Sequence, residues 1–286
     1  MSTAPSAEAA RPRRRLRWAA LAAVLLLAAW SFGIEPRWVA QRQVEVHLPG
    51  WQRPPLRVAV AGDWHLGRGG VMTPGHARAI VDAINAAAPD LVLLAGDFVA
   101  GDGDPARGAL APEAIAAALG RLRAPLGVHA VLGNHDWYHD GPAVAAALRQ
   151  RGIVVLENQA RAVDAGLWVA GIGDHSTGHS QPALALAAVP PGAQLLVLMH
   201  DPASLLDMNA VPGLAVAAHT HGGQVALPGI GALIVPGAAP RSWAYGWIEH
   251  AGMHAWVTSG LGTSVLPLRF NRRPEWVLFT IDGALG

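Results

Sequence analysis

Five short clusters along the chain carry side chains that bind metals or move protons. They are Gly62-Asp63-Trp64-His65, Gly96-Asp97, Gly133-Asn134-His135-Asp136, His200-Asp201 and His219-Thr220-His221. Any one of them alone is ordinary loop chemistry, because Asp, Asn and Gly favour turns for local backbone reasons. As a set they offer imidazole and carboxylate donors without thiolate, which suits Mn, Fe or Zn; an all-oxygen set would favour Mg or Ca. The remaining composition narrows the chemistry. There is no cysteine, which excludes disulfide frameworks, thiolate metal sites and thiol nucleophiles. All 21 basic side chains are arginine, so Schiff-base lysines and the P-loop lysine are excluded as well. With no G-x-S-x-G elbow either, water activated by metal is the strong nucleophile this chain offers.

Such donors must be brought together by regular elements. Apolar runs of strand length cover Leu56 to Ala61, Asp90 to Ala95, Gly127 to Leu132, Leu167 to Gly171, Gln194 to Met199, Leu214 to Ala218 and His254 to Thr258. Alanine-rich helical segments are predicted at Pro74 to Ala87, Pro112 to Leu119 and Pro142 to Gln150, each with proline at a plausible first position. The alternation predicts an α/β layered fold. All five clusters fall directly after apolar runs, at strand C-terminal ends, where open α/β sheets place their ligand crevice.

The series D-x-H-x-G (Asp63, His65, Gly67), G-D (Asp97), G-N-H-D (Gly133 to Asp136), H-D-P (His200 to Pro202) and H-T-H-G-G-Q (His219 to Gln224) resembles the calcineurin-like metallophosphoesterase superfamily. The ending Gly260-Leu261-Gly262-Thr263, Pro267-Leu268-Arg269-Phe270 and Pro274-Glu275 is similar to the membrane-associated bacterial branch of YkuE-type phosphodiesterases. The resemblance implies a four-layer α/β/β/α sandwich and two divalent ions, Mn, Fe or Zn, with Mn first among them. Asp63, His65 and His221 would hold one ion and Asn134, His200 and His219 the other, with Asp97 bridging. A hydroxide shared by the ions would attack phosphorus, and His135 would protonate the leaving oxygen or steady the transition state.

Three positions depart from the family pattern. Gly62 stands where the family usually has serine and Ala218 where it usually has glycine; both exchanges are between small residues. Ala100 stands where many relatives carry an aspartate that orients the acid histidine, and Asp102, Asp104 and Asp136 are the candidate replacements. Arg269 and Arg241 are candidates to grip a phosphate, while Asp174 reads as a turn and His139, His175 and His179 as solvated loop residues. Trp243, Tyr245 and Trp247 alternate as a strand would.

The two ends of the chain differ in charge. Residues 1–17 hold five arginines against Glu8, a net +4, which leaves sixteen arginines against nineteen carboxylates, a net −3, for the rest. A mildly acidic body without an arginine stripe argues against nucleic-acid binding. From Trp18 to Ile34 there are 17 uncharged, mostly apolar residues, at the short limit for a membrane span. Retained anchor, cleaved signal peptide and buried core helix compete. The run is apolar all round and follows arginines, which counts against a core helix, and Phe32 to Pro36 offers no small-x-small cleavage site. Arg13-Arg14-Arg15-Leu16 is also a weak twin-arginine match, and Trp18, Trp30 and Trp38 suit an interfacial belt.

The expected organisation is therefore a basic cytoplasmic tail (1–17), a signal anchor (18–34), a linker (35–55) with at most a short strand at Val44 to Leu48, and a catalytic domain (56–286). The arginine rule places that domain on the extracytoplasmic face of the inner membrane. The expected activity is phosphodiester hydrolysis on a lipid-linked or cell-envelope substrate. A catalytically silent tethered scaffold of the same fold and a nuclease are the competing functions, and the oligomeric state is open.

Overall fold

The computed structural model describes residues 10–67, 70–101, 108–209 and 211–283, with side chains from residue 14 onward. Two six-stranded sheets carry the architecture. The first orders β1 (Ala40–Leu48), β14 (Glu275–Gly283), β2 (Leu56–Ala61), β3 (Leu91–Ala95), β4 (Val128–Val131) and β5 (Val154–Val155) from edge to edge. From β2 to β5 all neighbours are parallel, and β14 runs antiparallel to β2. The second sheet orders β12 (Gly246–His250), β13 (Met253–Val257), β9 (Leu214–Ala217), β8 (Gln194–Leu198), β7 (Leu167–Gly171) and β6 (Gln159–Asp164). Its four central strands are parallel and both edge strands antiparallel. A small hairpin, β10 (Ala226–Leu227) with β11 (Gly231–Ala232), lies outside both sheets.

Side-chain alternation with period two builds the layers. In β2 and β3, Val58, Val60, Leu91 and Leu93 face a core shared with Leu196, Leu198, Leu214 and Val216 of the other sheet. Their neighbours Ala59, Val92 and Leu94 face the opposite way, onto Ile80 and Ile84 of α2 (Pro74–Ala86), Ile115 and Leu119 of α3 (Pro112–Leu119), and Val144 and Leu148 of α4 (Asn134–Gln150). On the far side, Leu195, Val197 and Ala215 pack with Ala185 of α5 (Pro182–Leu186) and with Leu205 and Trp243 from short 3-10 turns. The result is the four-layer α/β/β/α sandwich.

The predicted strands and the first two helices lie within a residue of their expected bounds. Two elements are longer. Helix α4 starts at Asn134, inside the Gly133-Asn134-His135-Asp136 motif, and is kinked at Asp140 (φ −166°) before Pro142 opens its second half. Strand β1 runs back to Ala40, because all nine of its residues pair in parallel with β14. The Trp243 to Trp247 stretch is part turn: Arg241–Trp243 forms a 3-10 turn and β12 begins only at Gly246.

Helix α1 (Ala10–Ala28) continues through a π-helical segment, Ala29–Ile34, and a 3-10 turn, Glu35–Arg37. The span Arg14–Arg37 is 24 residues long, with an 18-residue stretch of mean hydropathy 1.7, long and apolar enough to cross a membrane. Its apolar side chains are exposed, which separates it from a core helix. Its C-terminal end is tied to the sandwich: the Arg269 amide donates to the Ser31 carbonyl (2.9 Å), and the Arg272 amide donates to the buried Glu35 carboxylate (2.6 Å).

Candidate metal centre

The C-terminal ends of strands from both sheets meet at one edge of the sandwich. Asp63 and His65 follow β2, Asp97 follows β3, Asn134 and His135 follow β4, His200 follows β8, and His219 and His221 follow β9. Backbone bonds fix these turns to each other: the Asp63 amide donates to the Gly96 carbonyl (3.0 Å) and the His65 amide to the Asp97 carbonyl (2.9 Å). The two sheets are tied at the site by the His219 amide donating to Asp63 Oδ1 (3.0 Å). Asp63, His65, Asp97, His219 and His221 all have φ between 43° and 67°. Left-handed backbone at non-glycine residues costs on the order of 1–3 kcal/mol each and clusters at functional sites.

The seven predicted ligands converge, all of them buried. Asp63, His65 and His221 offer donor atoms within 4.8 Å of one another, and so do Asp97, His200 and His219. His65 Nε2 and His221 Nε2 face each other at 3.1 Å. His200 Nε2 lies 3.1 Å from both His219 Nδ1 and Asn134 Oδ1. Asp97 Oδ2 sits between the groups, 3.5 Å from His65 Nε2 and 3.4 Å from His200 Nε2. His135 joins His65 and Asp97 in a third overlapping group.

These groups fit a cation and fit little else. Asp63 Oδ2 is buried without a hydrogen-bond partner, as is His221 Nδ1 beside it. Burial pushes the Asp63 carboxyl up to about 7, with the His200 charge opposing and Asp97 adding to the rise. Burial also drives His65 down to about 3 and lowers His221 and His219, so three imidazoles keep free lone pairs. Asp97 goes the other way: burial opposes its ionisation, but the charge of His200 and their hydrogen bond hold it well below the usual carboxylate range. An ionised carboxylate and three neutral imidazoles suit a divalent metal, and the proton that His200 keeps against burial, its imidazole raised by Asp97, is the one such a metal would displace.

A calcineurin-like phosphoesterase profile matches residues 56–223, the span that supplies every one of these side chains. The chain belongs to the calcineurin-like phosphoesterase family. It is a metal-dependent phosphoester hydrolase. Among its relatives, the metallophosphoesterase YkuE of Bacillus subtilis is 29% identical over 210 residues, covering 71% of this chain and 72% of that one. The phosphodiesterase YaeI of Escherichia coli is 33% identical over 194 residues (65% and 68% of the two chains). The UDP-2,3-diacylglucosamine pyrophosphatase LpxG of Chlamydia trachomatis is 24% identical over 261 residues (73% and 77%).

In this calcineurin-like phosphoesterase the outer nitrogens of two ligand histidines are held. His200 Nδ1 pairs with the Ala95 carbonyl at 2.7 Å, which turns Nε2 toward Asp97. His219 Nε2 lies 3.3 Å from Ser176 Oγ and 3.8 Å from Asp201, and Ser176 Oγ donates to Asp201 at 2.7 Å. Such outer contacts fix ring orientation and tautomer. Of the three candidate replacements for the aspartate missing at Ala100, the structure describes Asp136, and it does not hold His135. Asp136 is occupied with the amides of Phe98, Val99 and Gly133, and Asp102 and Asp104 lie outside the described residues. Instead His135 Nδ1 bonds the Gly101 carbonyl, and Nε2 faces Ser264 Oγ at 3.4 Å.

Other candidates fall elsewhere. Arg269 is fully buried and donates to the carbonyls of Ser259, Gly260, Gly262 and Arg272, so it braces a loop and is not free for phosphate. Arg241 is exposed at the start of its turn. Asp174 accepts from the Thr177 amide and hydroxyl, a turn role as expected. His179 is half-buried, stacked on Trp137 at 3.6 Å. His175 lies 3.6 Å from Asp207. Ser176 and the Gly101 carbonyl carried no sequence signal: one is a common loop residue, the other main chain.

Proposed function

We propose that the chain is a membrane-anchored phosphodiesterase working with two divalent ions. The observation that carries this reading is the position of Asp97 Oδ2 between two separate donor groups. Asp63, His65 and His221 would hold one ion and Asn134, His200 and His219 the other, with Asp97 shared; Mn, Fe or Zn suits the donors, Mn first. When bound, two such ions polarise a phosphoryl group and acidify water toward hydroxide near neutral pH. The chain's own contribution to leaving-group departure is His135. Its Nδ1–H is donated to Gly101, so the ring orientation is fixed and Nε2 is the atom that delivers a proton to the departing oxygen as the P–O bond breaks.

The substrate side of the proposal is a lipid-linked or cell-envelope phosphodiester or pyrophosphate. The exposed apolar helix near the N-terminus supports it, and so does a relative that acts on a diacylated nucleotide sugar. Residues 18–34 are the anchor, 1–17 the cytoplasmic tail, 35–55 the connection that also supplies β1, and 56–286 the catalytic domain, on the extracytoplasmic face of the inner membrane. Retention of the anchor is supported by the contacts of Ser31 and Glu35 with the sandwich, which a cleaved leader would not make.

Asp97→Asn in the full chain tests the activity. Hydrolysis of bis-p-nitrophenyl phosphate should be abolished, and hydrolysis at the parent rate would contradict the shared role of this carboxylate. A reporter fused after residue 286 tests the topology; activity confined to the cytoplasm would overturn it.

A further inference from the structure

The metal-ligand cluster does not end in bulk solvent on every side. From His221 an apolar groove of about 380 Å³ leads away between two segments, 220–236 and 264–268. Val225, Leu233, Ile234, Leu266 and Leu268 line it. Ser264, which faces His135 Nε2 at 3.4 Å, stands at its inner end. Gln224 staples the two walls, accepting from the Ser264 amide at 2.6 Å and donating to the Leu266 carbonyl at 3.4 Å. The rim is a run of uncovered aliphatic side chains: Val265 is 98% exposed, Ile234 79% and Leu266 56%. An apolar cavity with a few polar groups at one end is the anatomy of a small-molecule site, and aliphatic residues this exposed mark a contact with something apolar.

The position of the groove says what that something is. Leu268 of its wall is followed by Arg269, whose amide donates to the Ser31 carbonyl at the end of the membrane helix. Phe32 and Ile34, beside Ser31, are themselves exposed apolar residues. One step along the chain thus joins the groove wall to the point where the helix meets the sandwich, which on the membrane-anchored reading lies at the bilayer surface.

We propose that this groove takes the alkyl or acyl chain of a lipid phosphoester and leads it from the bilayer to the metal-ligand cluster. The proposal rests on the phosphodiesterase reading above and narrows its substrate to one that carries a long hydrocarbon chain next to the phosphate. Headgroup chemistry is left to the polar end of the groove; chain recognition belongs to Ile234, Leu266 and their neighbours.

The test uses the full chain in lipid nanodiscs, loaded with Mn²⁺, and p-nitrophenyl alkyl phosphates with methyl, octyl and dodecyl chains. The leaving group is constant, so only the chain varies. The ratio of octyl to methyl kcat/KM is compared between the parent protein and Ile234→Asp, which cancels partition into the bilayer. The ratio should fall at least tenfold in the variant, and Leu266→Ala, a truncation that adds no charge, should move it in the same direction. An unchanged ratio in both variants overturns the groove while leaving the phosphodiesterase reading intact. No turnover of any of the three diesters by the parent protein takes both down together. A decyl phosphate with a terminal diazirine supplies a second measurement that needs no turnover. Its label should map to 225–236 and 264–268; labelling elsewhere overturns the assignment. A concentration-dependent dimer that Ile234→Asp dissociates, with a flat chain-length profile, would give the groove to a second copy of the chain and also overturn it.

Discussion

At the scale of single residues, the seven candidate ligands are buried together, each placed at the end of an apolar run. What holds their rings could not be read from the sequence, because the partner is a main-chain carbonyl for His200 and a common loop serine for His219. His135 is the clearest case: the sequence offered carboxylates to replace the one missing at Ala100, and the Gly101 carbonyl holds the ring. A proton donor on the leaving oxygen matters most when that oxygen is basic. His135→Gln should lower kcat by about 10²–10⁴ for alkyl leaving groups and much less for p-nitrophenolate; an equal loss for both would assign His135 to positioning alone. The two exchanged small residues are also one feature. A Cβ at Gly62 would lie 2.8 Å from Ala218 Cβ, so the glycine and the alanine trade space across the two sheets. Gly62→Ser alone should destabilise by about 1–3 kcal/mol through overpacking, and adding Ala218→Gly should recover part of that loss in chemical denaturation. Additive losses would show that the positions are independent.

At the scale of elements, strand and helix periodicity located the sandwich, but the way each strand stops was hidden. Gly133 shows why the turn after β4 is glycine: a Cβ there would lie 2.3 Å from Asp97 Oδ1. The same strand end is held by Glu157, whose Oε1 accepts from the Leu132 amide at 2.9 Å while Oε2 is buried without a partner. Burial raises the Glu157 carboxyl to about 7 against the pull of that amide, with Asp136 and Asp174 adding to the rise. The folded chain thus holds this proton more tightly than the unfolded one. Stability falls as pH rises from the ordinary glutamate range, near 4.5, to about 7 and stays reduced above it. Glu157→Gln should therefore raise Tm at pH 8 and lose that advantage toward pH 5. A gain of equal size at both pH values would contradict the assignment. β1 was underestimated for a different reason: Ala40 to Gln43 has no apolar alternation, and only pairing with β14 makes it a strand.

At the scale of the whole molecule, composition announced the apolar helix and the charge asymmetry before it, but not how the helix joins the sandwich. That joint is polar. Glu35 is 2% exposed, accepting from Trp30 Nε1 and the Arg272 amide, both at 2.6 Å. Truncating it leaves the half-buried Arg272 amide without its acceptor, so Glu35→Ala should cost about 1 kcal/mol in the full chain; no loss would mean that the helix end is not held. The joint places the end of the helix next to the segment that walls the groove, as the proposed lipid substrate requires. Two ions acting through one shared carboxylate are the centre of the proposed chemistry. The full chain, stripped with chelator and titrated with Mn²⁺, measures this directly when turnover of bis-p-nitrophenyl phosphate is followed against bound metal per chain. Turnover should appear with the second equivalent and saturate there; full turnover at one equivalent would contradict the binuclear centre.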